Sequence, residues 1–484
     1  MSKKFASQVV VLVLVNLIIK LIWIFGVERG VQIEVGFAEY GLYYSLFNFT
    51  FILSAISDPG LSNYLIRSLS TYKVNTNHYY SLFFLKLFLS FAFFLMALSL
   101  GYLMGYRDDY FKLLLLLSVY HFLWSFLIYL RGYLKALQLF NLETFFSVFD
   151  KLLLIALFLP FLYLKTDFIN SIYFFAASQV IAVLVSLAIC FFVLKSKGIV
   201  LFERLNFKPD FSVLKKVGPF AVFTFLVLAY NKIDTIMLEK MLINGQLETG
   251  IYAAAYRFLD ASNMLPILFA SLFYPIVSQN LALKKDITKL VNVSFEVLFS
   301  LSIIIAFACW FYKTELMFFL YGTKSSVYLA QIFGVLMFSS PLIVLFYIFS
   351  TVLTANQNLK GLNLISASGL LLNVLINLFL IPKHQALGAA TSTLISLLWV
   401  GLAYAIYYHQ YFKSSIKLGS IFKIIALIGL LLGTGYILTF TNLNWLLSLA
   451  IYIILAISYT LVLRLLSAKR IKNLIKIEAI EVIN

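Results

Sequence analysis

The sequence predicts an all-α polytopic membrane protein of about 14 transmembrane helices. Three observations carry that prediction. Of 484 residues, 62% are hydrophobic and 12% charged, about half the charged share of a soluble domain. Apolar runs of roughly twenty residues recur along the whole chain, each long enough as a helix to cross about 30 Å of hydrocarbon. The cations fall mainly into alternate connections between those runs. Transmembrane strands would be about ten residues long and alternating, which is not the pattern here.

In order, the spans are predicted near 6–27, 38–57, 79–104, 111–130, 148–164, 169–194, 217–239, 250–277, 291–312, 328–354, 362–381, 386–409, 418–440 and 445–466. The first reads as a transmembrane helix rather than a signal peptide. It is long, carries Asn16 and Lys20, and no small-residue cleavage pattern follows it. The second is rich in Tyr, Ser and Asn, and the fifth is short.

Loop charge sets the expected sidedness. With Lys3 and Lys4 in the cytoplasm, the inner segments hold Arg67, Arg131, Lys135, Lys195, Lys197, Lys215, Lys216, Lys284 and Lys285 among others. The outer loops hold only Arg29, Arg107, Lys165, Lys240, Lys313, Lys324 and Lys383, a ratio of roughly three to one. Both termini are therefore expected in the cytoplasm. The net charge of +17 follows from this bias and does not imply a nucleic-acid partner. Cys190 and Cys309 fall inside spans and are expected as buried reduced thiols, with no metal site.

The halves resemble each other weakly. Lys3-Lys4 precede Lys20 on span 1, and Lys215-Lys216 precede Lys232 on span 7. Leu134-Lys135-Ala136-Leu137-Gln138 follows span 4, and Leu353-Thr354-Ala355-Asn356-Gln357 follows span 10. Pro160 parallels Pro382. Equivalents six spans apart insert in the same orientation, the pattern of a parallel repeat with the substrate site between halves. The expected organisation is an N-lobe over 1–195, a C-lobe over 196–410 and two extra helices with a cytoplasmic tail over 411–484. The basic linker of 195–216 contains a mixed stretch from Ile199 to Phe211, readable as an interfacial helix or as a solvated connection.

Charges inside apolar spans are the candidate functional residues, because a charge at the bilayer centre costs at least about 2.5–3.5 kcal/mol unless it faces protein or water. Lys20, Lys86 and Arg257 are three such cations and point to a water-filled cationic chamber. Asn16 and Lys20 stand one turn apart and share a helix face. Two readings fit Lys86: it lines the chamber, or its stem snorkels to the inner interface. Arg257 and Asp260 share a face as well, either as a structural ion pair or with the guanidinium fork exposed for phosphate. Lys232 and Asp234 are two apart and point to nearly opposite sides. Asp234, Asp260, Glu39 and His121 are the embedded groups that could couple transport to Na+ or H+. For Glu39 a helix-end position near headgroups fits better, and for His121 a packing role fits as well as a relay. No phosphate loop, zinc-ligand spacing or nucleophile elbow occurs, so no cofactor and no catalytic residue is expected. Tyr pairs at span ends, such as Tyr79-Tyr80 and Tyr407-Tyr408, fit interfacial belts.

Several ordered segments carry a family resemblance. They are Asp58-Pro59-Gly60-Leu61-Ser62 with Arg67; Arg131-Gly132-Tyr133-Leu134-Lys135-Ala136 with Asp150-Lys151-Leu152; Pro219-Phe220, Ile233-Asp234 and Gly250-Ile251-Tyr252-Ala253-Ala254-Ala255-Tyr256-Arg257; and Pro382 with Gly388-Ala389-Ala390. Their order and spacing resemble the polysaccharide flippases, the O-antigen branch of the multidrug/oligosaccharidyl-lipid/polysaccharide exporter superfamily. The resemblance implies two six-helix lobes around a V-shaped cleft, as in the multidrug (MATE) exporters. It implies an undecaprenyl-pyrophosphate-linked oligosaccharide as substrate, moved to the outer leaflet of a bacterial inner membrane. Related peptidoglycan-precursor flippases use basic residues on helices 1 and 8, which here carry Lys20 and Arg257. In those relatives helices 13 and 14 form a groove for the lipid tail.

The reading is thus a lipid-linked oligosaccharide flippase, not an enzyme, with polysaccharide polymerase machinery as a partner. Two rivals stand beside it. A multidrug or cation antiporter of the same fold would want an anionic or aromatic chamber, which the embedded Lys and Arg oppose. A membrane glycan polymerase or ligase would want large outer loops with catalytic groups, and the predicted outer loops are short.

Overall fold

A computed structural model describes residues 3–71, 76–164, 171–199, 209–414 and 417–466. Among these no strand occurs, and eleven helices are long and apolar enough to cross a membrane. Helix covers the predicted spans, but not one to one: those near 250–277 and 328–354 each fall on two helices, and those near 362–381 and 386–409 share one. Most of the linker stretch from Ile199 to Phe211, and the tail beyond 466, lie outside the described residues.

The chain forms two compact units, Met1–Gly250 and Ile251–Asn484. The first opens with α1 (Lys3–Ile22), which passes through a π-helical turn (Trp23–Glu28) into α2 (Arg29–Val35). The first helix therefore runs on past its expected end at 27, and Arg29 lies in helix rather than in a loop. Gly36 ends it at φ 89°, ψ 161°, a conformation open to glycine. The chain turns there directly into α3 (Phe37–Ser54).

Next come α4 (Leu61–Thr71), α5 (Thr76–Leu103), α6 (Asp108–Ala136), α7 (Phe140–Leu164), α8 (Ile172–Ser196), α9 (Ser212–Met241) and α10 (Gly245–Ser262). The amphipathic α4 is absent from the list of predicted spans because it is too short and too polar to cross. The fifth span, expected as short, is 25 residues long in α7. α6 is the hub of this unit and packs against α3, α4, α5, α7 and α8. α9, assigned from sequence to the second lobe, packs along α3 and reaches α4 within the first compact unit.

The second unit continues through α11 (Met264–Ala282), α12 (Thr288–Phe311), α13 (Lys313–Tyr321), α14 (Val327–Met337), α15 (Ser339–Ala355), α16 (Leu359–Phe412), α17 (Leu418–Thr439) and α18 (Trp445–Val462). The 54-residue α16 holds both the eleventh and the twelfth predicted spans. It breaks at Gln385 (φ 54°, ψ −132°), three residues after Pro382, whose ring and missing N–H disrupt the ladder. α12 carries a polar row one turn apart. Thr288 pairs with Ser414 at 2.8 Å, Asn292 accepts from the Lys417 backbone N–H at 2.9 Å, and Glu296 accepts from Ser420. At the other end Tyr312 bonds Ser448 of α18 at 2.6 Å. The two extra helices are thereby fastened to α12.

Helix ends follow local chemistry. Asp210 and Asp286 accept from the hydroxyl and backbone N–H of Ser212 and Thr288, which holds both carboxyls below their ordinary range. The two segments matched in sequence end α6 and α15 in the same way. Gln138 (φ 59°) and Gln357 (φ 57°) take the left-handed position. The bonds Leu139 N–H to Leu134 O (2.9 Å) and Asn358 N–H to Leu353 O (3.0 Å) complete one Schellman cap each.

A non-glycine residue pays strain in that position, so Gln138→Gly and Gln357→Gly should each raise stability by roughly 0.5–1 kcal/mol. A rise in the thermal midpoint of the purified protein in detergent checks this; an unchanged or lower midpoint for both opposes it.

Candidate functional site

The interior of the first unit is polar at several depths. The Asp58-Pro59-Gly60-Leu61-Ser62 turn places the Asp58 carboxylate at the start of α4, where it accepts from the Ser62 N–H at 3.0 Å and from the Ser62 hydroxyl. The same carboxylate lies 3.5 Å from the Lys86 ammonium. Lys86 is 0% exposed. It also donates to the Ser57 carbonyl at 2.8 Å and to the Ser125 hydroxyl, so all three of its protons are directed at protein oxygens. Lys86 is enclosed by protein in this conformation. It neither lines a wet surface nor snorkels; it ties α3, α4, α5 and α6 together.

A second buried pair closes the α6–α7 connection. Arg131 grips Glu143 through two bonds, Nε at 3.1 Å and Nη2 at 2.7 Å, with the Lys135 ammonium 3.5 Å from the same carboxylate. Glu143 is 1% exposed. Asp150, also buried, pairs with Lys151 at 3.0 Å, whose ammonium stands 5.4 Å from the ring of Trp23 in the π-helical turn. Arg67, the remaining basic residue of the motif, is exposed on α4.

Asn16 donates to the Leu12 carbonyl and to Ser147 of α7, both at 2.8 Å. Its amide thus joins α1 to α7. Lys20, one turn further, is exposed. Glu39 is exposed in the first turn of α3, a favourable end for an acid and the helix-end reading of the sequence. His121 is buried, with Nδ1 3.0 Å from the Thr50 hydroxyl and 3.1 Å from the Leu117 carbonyl. Phe47, Phe51, Tyr120 and Trp124 surround its ring, so its placement here is the packing one. On α9, Asp234 is fully buried, while Lys232 is partly exposed with its ammonium 6.0 Å from the Tyr44 ring.

In the second unit, Arg257 is 2% exposed on α10, and Asp260 is partly exposed. A ladder on the two halves of α16 was not singled out from sequence. Asn377 donates to Asn373 at 3.0 Å, Asn373 to Ser396 at 3.3 Å, and Ser392 to the Asn373 carbonyl at 3.0 Å. All four residues are 0% exposed. Their i, i+4 spacing inside apolar spans is the signal that would have found them. Glu143, Tyr106 and Glu239 were missed too, since partners from different helices leave no local pattern. Among the described residues no cluster of His, Cys, Asp or Glu could hold a metal ion.

A family model described as polysaccharide biosynthesis protein matches residues 5–281, more than half of the chain. The chain belongs to that family. No curated protein matches it. A solved structure described as lipid II flippase MurJ in an inward closed conformation covers 94% of this chain and 99% of its own, at 16% identity and TM-score 0.75. An inward-facing MATE family multidrug resistance transporter of the MOP superfamily covers 83% and 94%, at 14% identity and TM-score 0.59. A MOP superfamily transporter from Pyrococcus furiosus, described by the reverse polarity of its binding pocket, covers 84% and 95%, at 16% identity and TM-score 0.60. At these identities the likeness establishes the fold: this family member has the architecture of MOP superfamily transporters, as its motifs implied.

Removing one partner of a buried ion pair leaves the other charge uncompensated, at about 3–5 kcal/mol. Lys86→Met should therefore lower the thermal midpoint and the amount of protein in the membrane. Lys86→Met/Asp58→Asn should recover part of the loss. A single variant as stable as the parent would show that Lys86 does not hold the fold.

Proposed function

We propose that the protein is a flippase for undecaprenyl-pyrophosphate-linked oligosaccharide repeat units. It carries them from the cytoplasmic to the outer leaflet of a bacterial inner membrane by alternating access. The observation that carries this reading is the near-full-length likeness to a lipid II flippase in a chain of the polysaccharide biosynthesis family. A lipid-linked cargo presents a pyrophosphate and sugars to the protein while its polyprenyl tail remains in lipid. Such a cargo is held by cations and hydrogen-bond donors.

The candidate cations sit in different surroundings. Lys86 and Arg131 are enclosed in ion pairs of the first unit. Lys20 is exposed, and Lys232 is partly exposed beside a tyrosine ring. We assign Lys20, Arg257 and Lys232 to the phosphate and sugar acids. Arg257 offers the fork that matches two phosphate oxygens, whereas Lys20 and Lys232 act as point charges. Asp234 and Asp260 are the carboxylates assigned to coupling with Na+ or H+, and polysaccharide polymerase machinery is the partner that would take the cargo. Both termini are placed in the cytoplasm by the loop charges.

A strain lacking its own oligosaccharide flippase tests the reading. The chain should restore surface glycan and relieve the build-up of lipid-linked repeat units. Arg257→Ala and Lys20→Ala should each cut export about tenfold or more, the loss expected for one charge-assisted contact, with membrane levels of protein unchanged. Export at the parental level from both variants refutes the assignment. A gain of resistance to cationic drugs, without glycan export, would instead favour a drug exporter of the same fold.

A further inference from the structure

The turn between α16 and α17 is fastened to α12 by a chain of hydroxyls. Tyr408 donates to the Ser414 hydroxyl at 3.4 Å, Ser414 donates to the Thr288 hydroxyl at 2.8 Å, and Thr288 donates to the Asp286 carboxylate. The Ser414 carbonyl lies 3.0 Å from the His409 ring nitrogen, and Asn292 accepts from the Lys417 backbone N–H at 2.9 Å. These bonds gather three lysines. Lys289 follows Thr288, Lys413 precedes Ser414, and Lys417 is itself a bonded residue. All three side chains are exposed, and among the described residues none of the three forms an ion pair.

Charge is one-sided at this place. Residues 284–289 and 409–423 carry six lysines and one acid, Asp286. That carboxylate is already engaged by the hydroxyl and backbone N–H of Thr288. Like charges gathered together repel, and the fold supplies little to offset it. Directly past Lys417 the surface turns apolar. Leu418, Ile421 and Phe422 are exposed in the first turns of α17, a helix long and apolar enough to cross a membrane. The lysines therefore stand at headgroup level, at the end of the helices that loop charge assigns to the cytoplasm. A cationic cluster above an exposed apolar helix face matches a molecule with an anionic head and acyl chains. A soluble anion or an acidic protein would leave Leu418 and Phe422 uncovered.

We propose that Lys289, Lys413 and Lys417 form a headgroup site for an anionic phospholipid whose acyl chains lie along the first turns of α17. Each ammonium acts on the phosphate as a point charge, and the hydroxyl chain fixes the turn so that the three are presented together. A headgroup held by all three joins α12 to the α16–α17 turn and so steadies the seat of α17. The site lies within the second unit and is independent of the cargo.

Native mass spectrometry of the purified full chain tests this, with phosphatidylglycerol as the probe and phosphatidylcholine as the neutral control. The parent should prefer phosphatidylglycerol about a hundredfold, roughly fivefold for each lysine near an anionic group. Lys417→Gln should weaken that binding about fivefold, and Lys289→Gln/Lys413→Asn/Lys417→Gln should abolish the preference. Asparagine suits the left-handed conformation of position 413 (φ 50°). Lys195→Gln/Lys197→Gln/Lys215→Gln removes the same charge from exposed positions of the first unit and should leave the preference in place. Phosphatidylglycerol should raise the thermal midpoint in detergent, and inorganic phosphate should not. A parental preference in the site triple variant overturns the proposal. An equal loss in the first-unit variant overturns it too, because the attraction would then be diffuse. A midpoint raised as much by inorganic phosphate makes the ligand a soluble anion and overturns the lipid assignment. Should the triple variant not accumulate in the membrane, Lys417→Gln decides, since it keeps the backbone bond to Asn292; unchanged binding there overturns the site.

Discussion

Hydrocarbon offers no water to a charged or polar atom, so each such atom in these helices must meet protein or an aqueous path. That constraint orders the first unit. The Asp58 carboxylate caps α4 and holds the Lys86 ammonium, and Lys86 in turn binds Ser57 and Ser125. Four helices are fixed relative to one another by one buried cation. Apolar contacts alone would discriminate poorly among helix registers, because lipid tails satisfy leucine as well as another helix does. A lysine with three oxygen partners accepts one register only.

The same constraint separates structure from transport. A cation locked to a carboxylate has its charge neutralised and its donors occupied, and it adds little attraction for an anionic cargo. Arg131 with Glu143 and Lys151 with Asp150 belong to that class. In this chain the motif residues Asp58, Arg131 and Asp150 are internal fasteners of the fold. The set proposed for cargo, Lys20, Arg257 and Lys232, is accordingly drawn from outside these pairs.

Helix positions were legible because apolar length and loop charge are local properties of the sequence. The matched ends at Gln138 and Gln357 were legible for the same reason, since a Schellman cap is written in consecutive residues. Extensions were not legible. Arg29 reads as a loop charge, yet the chain stays helical until Gly36 can take positive φ. Partners were least legible of all. Asn16 and Lys20 share a helical face in any projection, but only the packing of α1 on α7 decides that Asn16 is used by Ser147. The partner of Lys86 was not readable from sequence, because its anion lies 28 positions away at a turn.

α9 brings these strands together. By its position in the weak repeat it opens the second half, and its Lys232 matches Lys20. By contact it lies inside the first compact unit, seated on α3 and α4. Sequence position and packing therefore disagree at this helix. The repeat is written in charge and spacing along the chain, whereas the seat of α9 is set by partners far away in sequence: Asn48 of α3 on Thr235 towards one end, and Leu61 and Leu65 of α4 against Val213 and Val217 at the other.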